Sequence, residues 1–231
     1  MDHEHSRRFW DEKARENPYW YVSACGPYRG RDLAEFWGSG PKIWQDLKEA
    51  LGYRPAAGDT VVEVGCGVGR LTRAVAPEVA HVHAFDISEE MLKLAGNHGL
   101  TNVTFHRTGG SSLAPLANAS ADLVLAYCVF QHLPSEAALR AYLREMARVA
   151  RPGGRIAFTL TPRDWTTTLL PMLRAQRWLR ETLGVVGGAR GLYRQEWTGI
   201  RPSSRRVLRM SAVPLGRQPL HGDKWLFHGT L

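Results

Sequence analysis

The chain has 231 residues, of which 44% are hydrophobic and 23% charged, and its formal net charge is +8 at pH 7. This length suits one α/β domain with additions and is short for two full domains. The longest apolar runs, near 61–64 and 123–130, are far shorter than the roughly 20 residues that a membrane span requires. The charged opening residues lead into no apolar stretch, so we expect no secretory signal, no membrane partner and a cytoplasmic protein.

The basic excess lies in the last third of the chain. Residues 1–162 carry 18 Lys and Arg against 18 Asp and Glu, whereas residues 163–231 carry 12 against 4. Such a surface attracts an anionic substrate or nucleic acid, and a plain solvated face is the alternative interpretation. The cysteines at 25, 66 and 128 are widely separated, which predicts free thiols rather than disulfides or a Cys-x-x-Cys metal site.

Residues 1–52 are predicted to be helical and rich in aromatic side chains. Ser6 is a candidate N-cap for a first helix, Asp32 begins a capping-box pattern, and Pro41 is predicted to open a further helix. The aromatic residues of this part are candidates for a lid over a ligand, with a place in the core as the equal alternative. They are Trp10, Tyr19, Trp20 and Tyr21.

From residue 60 onward the pattern alternates between strands and helices. Strands are predicted near 60–65, 81–86, 102–106, 121–127 and 155–161, and helices near 68–76, 88–97 and 135–150. This alternation predicts a doubly wound, mostly parallel sheet with helices on both faces. Ligands bind such sheets beyond the carboxyl ends of the strands, where the strand order reverses.

The last part of the chain begins with a predicted helical insertion at roughly 165–183. A glycine-rich stretch over 184–191 follows it, and then a helix near 203–210. Two strand-like pieces, 212–220 and 224–231, come last.

The most informative motif is an apolar strand that runs into glycines at alternate positions. Gly65, Gly67 and Gly69 follow the strand residues 61–64, and Asp86 ends the next apolar run. Bare backbone lets a ligand lie close, and the predicted following helix offers its N-terminal N–H groups. An acidic side chain at the tip of the next strand reaches ribose hydroxyls. The combination predicts a site for a nucleoside cofactor.

Two details of this motif distinguish between nucleoside cofactors. A dinucleotide fingerprint, which serves a pyrophosphate, has its third glycine where this sequence has Arg70. Glu63 stands two residues before the first glycine, where its carboxylate would repel a pyrophosphate and attract a cation. S-adenosylmethionine, with its ammonium, sulfonium and adenosine groups, fits these residues better.

These segments resemble the class I S-adenosylmethionine-dependent methyltransferase family, of the small-molecule type, over residues 55–162. The stretch 63–71 is similar to the family's first motif, and Asp86 to its ribose-binding acid. Residues 122–128 are similar to its fourth strand, and 151–155 to the turn before its fifth.

The resemblance implies a Rossmann-like seven-stranded sheet, mostly parallel, closed by an antiparallel C-terminal hairpin and preceded by a helical lid. It implies a single methyltransferase domain over 1–231. Its parts would be an N-terminal helical lid (1–52), a cofactor-binding core (55–162), a substrate-side insertion (163–200) and a sheet-closing segment (201–231).

The resemblance also implies the residues of the cofactor site. Asp86 would hold both ribose hydroxyls, and Ile87 and Met91 would flank the adenine. The third strand departs from the family's pattern, because Gly110 and Ser111 stand where many relatives place a carboxylate. The full set of candidate cofactor-binding residues is Glu63, Gly65, Cys66, Gly67, Gly69, Asp86, Ile87, Met91, Gly110, Ser111, Tyr127, Tyr19 and Trp20. No metal ligand is expected.

His132, after the fourth strand, is the candidate catalytic residue. Its imidazole exchanges protons near neutral pH and could act as a general base, and a purely structural role is the alternative. The sequence has no Asn/Asp-Pro-Pro-Tyr motif and no run of carboxylates after this strand. We therefore expect metal-independent methyl transfer by direct displacement to the O, N or C atom of a small, aromatic or apolar metabolite.

Two alternatives stay open at this stage. One is a methyltransferase for RNA or another polyanion, which would use the basic C-terminal third. The other is a protein that binds S-adenosylmethionine without methylating anything. The sequence predicts no oligomeric state.

Overall fold

The computed structural model describes residues 3–23, 28–30, 32–162, 199–220 and 224–231. Its strands are β1 (Thr60–Val64), β2 (His81–Asp86), β3 (Val103–Arg107), β4 (Ala121–Ala126), β5 (Ala150–Leu160), β6 (Gly216–Pro219) and β7 (Trp225–Thr230). Its helices are α1 (His3–Glu16), α2 (Pro18–Ser23), α3 (Leu33–Leu51), α4 (Thr72–Val75), α5 (Glu89–Gly96), α6 (Glu136–Val149) and α7 (Ser204–Met210). Single 3₁₀ turns lie at Ala76–Glu78 and Phe130–His132. The predicted insertion 165–183 and glycine-rich stretch 184–191 lie outside the described residues.

The strands of the described part form one sheet in the order β3-β2-β1-β4-β5-β7-β6. Strands β1 to β5 pair in parallel, and β7 is antiparallel to both β5 and β6. The strand order reverses between β1 and β4, so the carboxyl ends of β1, β2 and β4 border one crevice. The predicted Rossmann-like sheet with its antiparallel C-terminal hairpin is confirmed.

Helices cover the sheet on both faces because each has one apolar side. The buried side of α6, which includes Leu139 and Leu143, packs with Val124 and Ile156 of the sheet. On the opposite face, Trp44 of α3 belongs to a second buried cluster with strand residues. Each fully buried side chain of this size contributes about 1.5–3 kcal/mol to folding. In the described part of the chain, no helix combines the length and apolarity of a membrane span.

The prediction of a helix over 68–76 is wrong for residues 68–71, because α4 begins only at Thr72. Gly67 and Gly69 have φ angles of 54° and 82°, and an α-helix of L-residues requires negative φ. The glycines therefore form turns. Their backbone N–H groups bond within the protein, because Gly67 N donates to Oδ2 of Asp86 at 2.8 Å and Gly69 N to the carbonyl of Cys66 at 2.9 Å.

The N-terminal boundaries also differ from prediction. Asp32 caps α3 as expected and accepts a hydrogen bond from Ala34 N at 2.8 Å. However, α3 begins at Leu33 and continues through Pro41, so Pro41 opens no helix. Ser6 is buried inside α1 instead of capping it, because α1 already begins at His3.

Strand β5 begins earlier than the predicted residue 155. It follows α6 directly at Ala150, and Ala121 of β4 pairs with Ala150. The register then shifts, so that Leu123 pairs with Arg155. This irregularity accommodates the glycine turn that the sequence had placed ahead of the strand.

Candidate functional site

Glycines shape the loop at the carboxyl end of β1. Gly65, Gly67 and Gly69 have φ angles of 73°, 54° and 82°, in the left-handed region that favours glycine. A Cβ at Gly67 would lie 2.9 Å from Cγ2 of Val22, and one at Gly65 would clash with Val129. Bare backbone at these positions is therefore required by the surrounding structure.

Asp86 ties the carboxyl end of β2 to this glycine loop. Its Oδ2 accepts a hydrogen bond from Gly67 N at 2.8 Å, and its Oδ1 accepts one from Ser88 N at 2.9 Å. Burial raises the pKa of Asp86 to about 6, although the backbone N–H groups act in the opposite direction. A carboxylate offers about four lone-pair sites, so Asp86 can accept a further hydrogen bond from a ligand hydroxyl.

Glu63 is a second buried carboxyl group, at the end of β1. Its Oε2 accepts a hydrogen bond from Oγ1 of Thr72 at 2.6 Å. Burial raises the pKa of Glu63 to about 7, and the nearby charge of Asp86 adds to this effect. Two buried carboxyl groups beside bare backbone favour a cationic nucleoside and oppose a pyrophosphate. The residues present thus fit S-adenosylmethionine.

The two cysteines near the crevice are small side chains, of which Cys66 is buried and Cys128 half-buried. Burial raises the pKa of Cys66 well above its ordinary value and also raises that of Cys128. A thiol acts as a nucleophile only as thiolate, so these environments oppose that role. Cys66 nevertheless lies within the glycine loop, where the sequence predicted it.

Helices α1 and α2 lie over the ends of three strands. Val22 of α2 packs against Gly67, and a Cβ at Gly110 would clash with the ring of His3. The ring of Trp10 meets the ring of His132 edge to face, with centroids 5.2 Å apart. The N-terminal segment thus contacts the loops after β1, β3 and β4, and its role as a lid stays a prediction.

Asp11 fastens α1 to the same crevice, and the sequence analysis missed it. It is buried, and its Oδ1 accepts hydrogen bonds from Oγ of Ser88 at 2.8 Å and from Glu90 N at 3.3 Å. Its Oδ2 pairs with Nη1 of Arg7 at 2.8 Å. Ser88 also donates its backbone N–H to Asp86, so the helix is linked to the candidate ribose-binding acid. An acidic residue in the interior of a helix is a weak signal, because it is usually solvated.

Arg70 joins α2 and α3 to the glycine loop. Its Nη1 donates to Oγ of Ser39 at 3.2 Å, and its guanidinium lies over the ring of Phe36, 5.3 Å from the centroid. Its Nη2 approaches the carbonyl of Val22 at 3.5 Å. From the sequence alone, Arg70 was informative only because it replaces the third glycine of the dinucleotide fingerprint.

The residues predicted to surround the adenine border the site in different ways. Met91 is fully buried in a small core cluster with Phe36 and Val68, and Ile87 is half-buried directly after Asp86. Gly110 has a φ of 100° and donates its N–H to Oγ1 of Thr108 at 3.1 Å. Ser111 is half-buried.

The structure separates the two aromatic residues of the N-terminal segment that are predicted to bind the cofactor. Tyr19 packs against Phe36, with ring centroids 5.2 Å apart, and belongs to the core cluster next to the glycine loop. The ring of Trp20 packs instead against Tyr21 and Tyr28, within the N-terminal segment. Of these two residues, only Tyr19 therefore packs next to the glycine loop, where the cofactor is predicted to bind.

The loop after β4 brings Tyr127, Cys128 and His132 to the crevice. Tyr127 is half-buried, and Cys128 has a φ of 62° with its N–H bound to Oγ1 of Thr159 at 2.7 Å. His132 donates its backbone N–H to the carbonyl of Val129 at 2.9 Å. The described residues contain no group of three or more metal-ligating side chains that could hold an ion.

Fold and site together define a Rossmann-like protein with a crevice for a cationic nucleoside cofactor. Residues 62–158 match the family described as a methyltransferase domain. Over these residues the chain is similar to methyltransferase domains, which supports the predicted class I S-adenosylmethionine-dependent methyltransferase.

Sequence relatives include ubiquinone biosynthesis O-methyltransferases. The one from Hahella chejuensis is 31% identical over 156 residues, which are 63% of this chain and 64% of the relative. The one from Methylococcus capsulatus is 34% identical over 128 residues, 54% of this chain and 52% of the relative. The chain thus spans about half to two thirds of the length of these curated relatives.

Solved structures with the same fold cover nearly the whole chain. The N-methyltransferase NodS from Bradyrhizobium japonicum matches with a TM-score of 0.63 and 14% identity, covering 97% of both chains. Magnesium protoporphyrin IX methyltransferase from Synechocystis matches with a TM-score of 0.62 and 20% identity, again covering 97% of both chains. At these identities the likeness concerns the fold.

Proposed function

We propose that this protein transfers a methyl group from S-adenosylmethionine to a small, aromatic or otherwise apolar metabolite, without a metal. The proposal rests on the hydrogen bond from Gly67 N to the carboxylate of Asp86, which joins the carboxyl ends of β1 and β2. His132 follows β4, the strand next to β1 where the strand order reverses. This arrangement supports a cofactor site and an acceptor site in one crevice.

The cofactor site would be formed by the loops after β1, β2 and β3. Asp86 would accept from the ribose hydroxyls, Glu63 would balance the positive charge of the ligand, and the backbone of Gly65, Gly67 and Gly69 would pack against it. Ile87 and Gly110 would border the adenine. When bound, the cofactor supplies an activated methyl group, so that positioning and exclusion of water can provide most of the rate.

His132 would act as the proton acceptor for the group that is methylated. The imidazole would take the proton that the acceptor group loses when it is methylated. Trp10 packs edge to face on the ring of His132 and would keep water from that side. The segment 3–23 would have to move for substrate to enter and product to leave.

The comparisons support a small substrate over a polyanion. The named relatives are O-methyltransferases of ubiquinone biosynthesis, and the names of the structural neighbours include an N-methyltransferase and a porphyrin methyltransferase. Part of the basic C-terminal surface is also engaged within the chain. Arg206 pairs with Glu136 at 2.6 Å, and the guanidinium of Arg217 lies 5.2 Å from the ring centroid of Trp225.

Incubation with methyl-labelled S-adenosylmethionine tests the proposal directly. The purified protein would be offered a panel of phenols and aromatic amines and, separately, total RNA. We expect label in a small product, and we expect His132→Asn to bind the cofactor normally while transfer falls by roughly 100-fold or more. Label in RNA would establish the polyanion alternative, and cofactor binding with no transfer to either class would refute the proposed activity.

A further inference from the structure

The side-chain amide of Gln131 carries a buried acceptor atom that meets no donor within the described part of the chain. Gln131 precedes His132 in the 3₁₀ turn after β4, and its Nε2 donates to the carbonyl of Cys128 at 3.1 Å. Among the described residues, its Oε1 is buried and has no hydrogen-bond partner. A buried acceptor without a donor costs free energy, and a ligand donor that reaches it recovers that cost.

The orientation of this amide follows from its neighbours. The carbonyl of Cys128 only accepts hydrogen bonds, so the amide nitrogen of Gln131 must face it. The reversed amide would place two oxygen atoms against each other. Oε1 is therefore the atom that is left without a donor.

The same amide determines which nitrogen of His132 carries a proton. Nε2 of Gln131 lies 3.3 Å from Nε2 of His132. An amide nitrogen only donates, so the histidine nitrogen must accept, which places the proton of the neutral imidazole on Nδ1. Nε2 of His132 is then the nitrogen that can take a proton from a substrate.

The turn is held firmly at the crevice. Val129 packs against Gly65 of the cofactor loop, and Trp10 packs on His132. On a further side, a Cβ at Gly199 would clash with the carbonyl of Gln131 and would lie 2.6 Å from Cα of His132. The turn that carries the two acceptor atoms therefore has a fixed place next to the cofactor loop.

We propose that Gln131 is a specificity-determining residue for the methyl acceptor. Its Oε1 accepts a hydrogen bond from an O–H or N–H of the substrate, and its Nε2 holds His132 in the Nδ1–H form. When substrate binds, the donor of the reacting group replaces the long amide contact at Nε2 of His132. The inference rests on the proposed function, and within it favours O- or N-methylation over transfer to carbon.

The first experiment determines the tautomer of His132 in the absence of substrate. Nitrogen-15 NMR of the purified protein at pH 8 reports which ring nitrogen of His132 carries the proton. We expect the Nδ1–H form in the unmodified protein and a shift toward Nε2–H in Gln131→Met, which keeps the length of the side chain and removes its donor. An Nε2–H imidazole in the unmodified protein would overturn the inference, whether or not the protein methylates anything.

The second experiment compares phenol with anisole, which has the same ring and lacks the O–H donor. Both would be titrated by ligand-observed NMR into protein saturated with S-adenosylhomocysteine. We expect phenol to bind on the order of tenfold more tightly than anisole, and this preference to disappear in Gln131→Met.

The control variant for this titration is Gln45→Met, the same substitution at an exposed position of α3. It should keep the full preference for phenol. An equal preference in Gln131→Met and Gln45→Met would show that Gln131 does not recognise the donor. Failure of S-adenosylhomocysteine to bind the unmodified protein would instead contradict the proposed function, and the histidine measurement would still decide the role of Gln131.

Discussion

Replacement of Gly65 by alanine tests how tightly the cofactor loop and the loop after β4 are packed together. The left-handed backbone at Gly65 costs an L-residue roughly 1–2 kcal/mol. The new Cβ would also clash with Val129, and overpacking of this kind costs roughly 1–3 kcal/mol. We expect Gly65→Ala to lower the free energy of unfolding by about 2–5 kcal/mol. Displacement of Val129 should also carry His132 out of position.

The matched control is Gly52→Ala, after the end of α3. Gly52 has a φ of 55°, but a Cβ there would meet no atom within 4 Å. It should therefore lose only the conformational part, roughly 1–2 kcal/mol. Urea denaturation followed by tryptophan fluorescence gives both values, and calorimetry with S-adenosylhomocysteine gives the affinity. If both variants lose the same stability and retain the same affinity, the packing argument is wrong.

Other predictions concern the lid attachment and the titrating groups. Asp11→Ala removes the acceptor for Ser88 and should lower the free energy of unfolding by about 2 kcal/mol, as measured by urea denaturation. The control Arg8→Ala, at an exposed position, should lower it by less than about 0.5 kcal/mol. Equal losses in the two variants would contradict the attachment of α1 through Asp11. The raised pKa of Glu63 means that the folded protein keeps a proton which the unfolded chain has lost between pH 4.5 and about 7, so its contribution to stability falls as pH rises through this range. Glu63→Gln should therefore be more stable than the unmodified protein at pH 8 without cofactor, by up to about 3 kcal/mol, and a less stable variant would contradict this sign. Burial, with His81 and His106 nearby, lowers the pKa of His83 to about 4, so stability should fall as pH decreases from 6.5 to about 4. His83→Gln should flatten that acid limb in thermal melts, and an unchanged limb would contradict the assignment.

The alternation of strands and helices and the glycine spacing were sufficient to predict the central sheet and the position of its crevice. Such patterns report local geometry and burial, which parallel sheets impose on every strand. The prediction that Gly65, Gly67 and Gly69 require bare backbone followed from the same local rules, and their φ angles agree with it.

Contacts between distant segments could not be predicted in the same way. The attachment of Asp11 to Ser88 joins residues 77 positions apart, and nothing in the local pattern around Asp11 indicates its partner. The amide oxygen of Gln131, which has no partner among the residues that the structure describes, likewise results from packing around the turn. The helix predicted from residue 68 failed for a local reason, because the positive φ of the glycines outweighed the apolar periodicity.

The most direct test of the central claim is calorimetric titration of S-adenosylhomocysteine into the unmodified protein and into Asp86→Ala, with circular dichroism to verify folding of both. We expect saturable binding to the unmodified protein and no measurable binding to the folded variant. Equal affinities, or binding of NAD in place of S-adenosylhomocysteine, would contradict this claim.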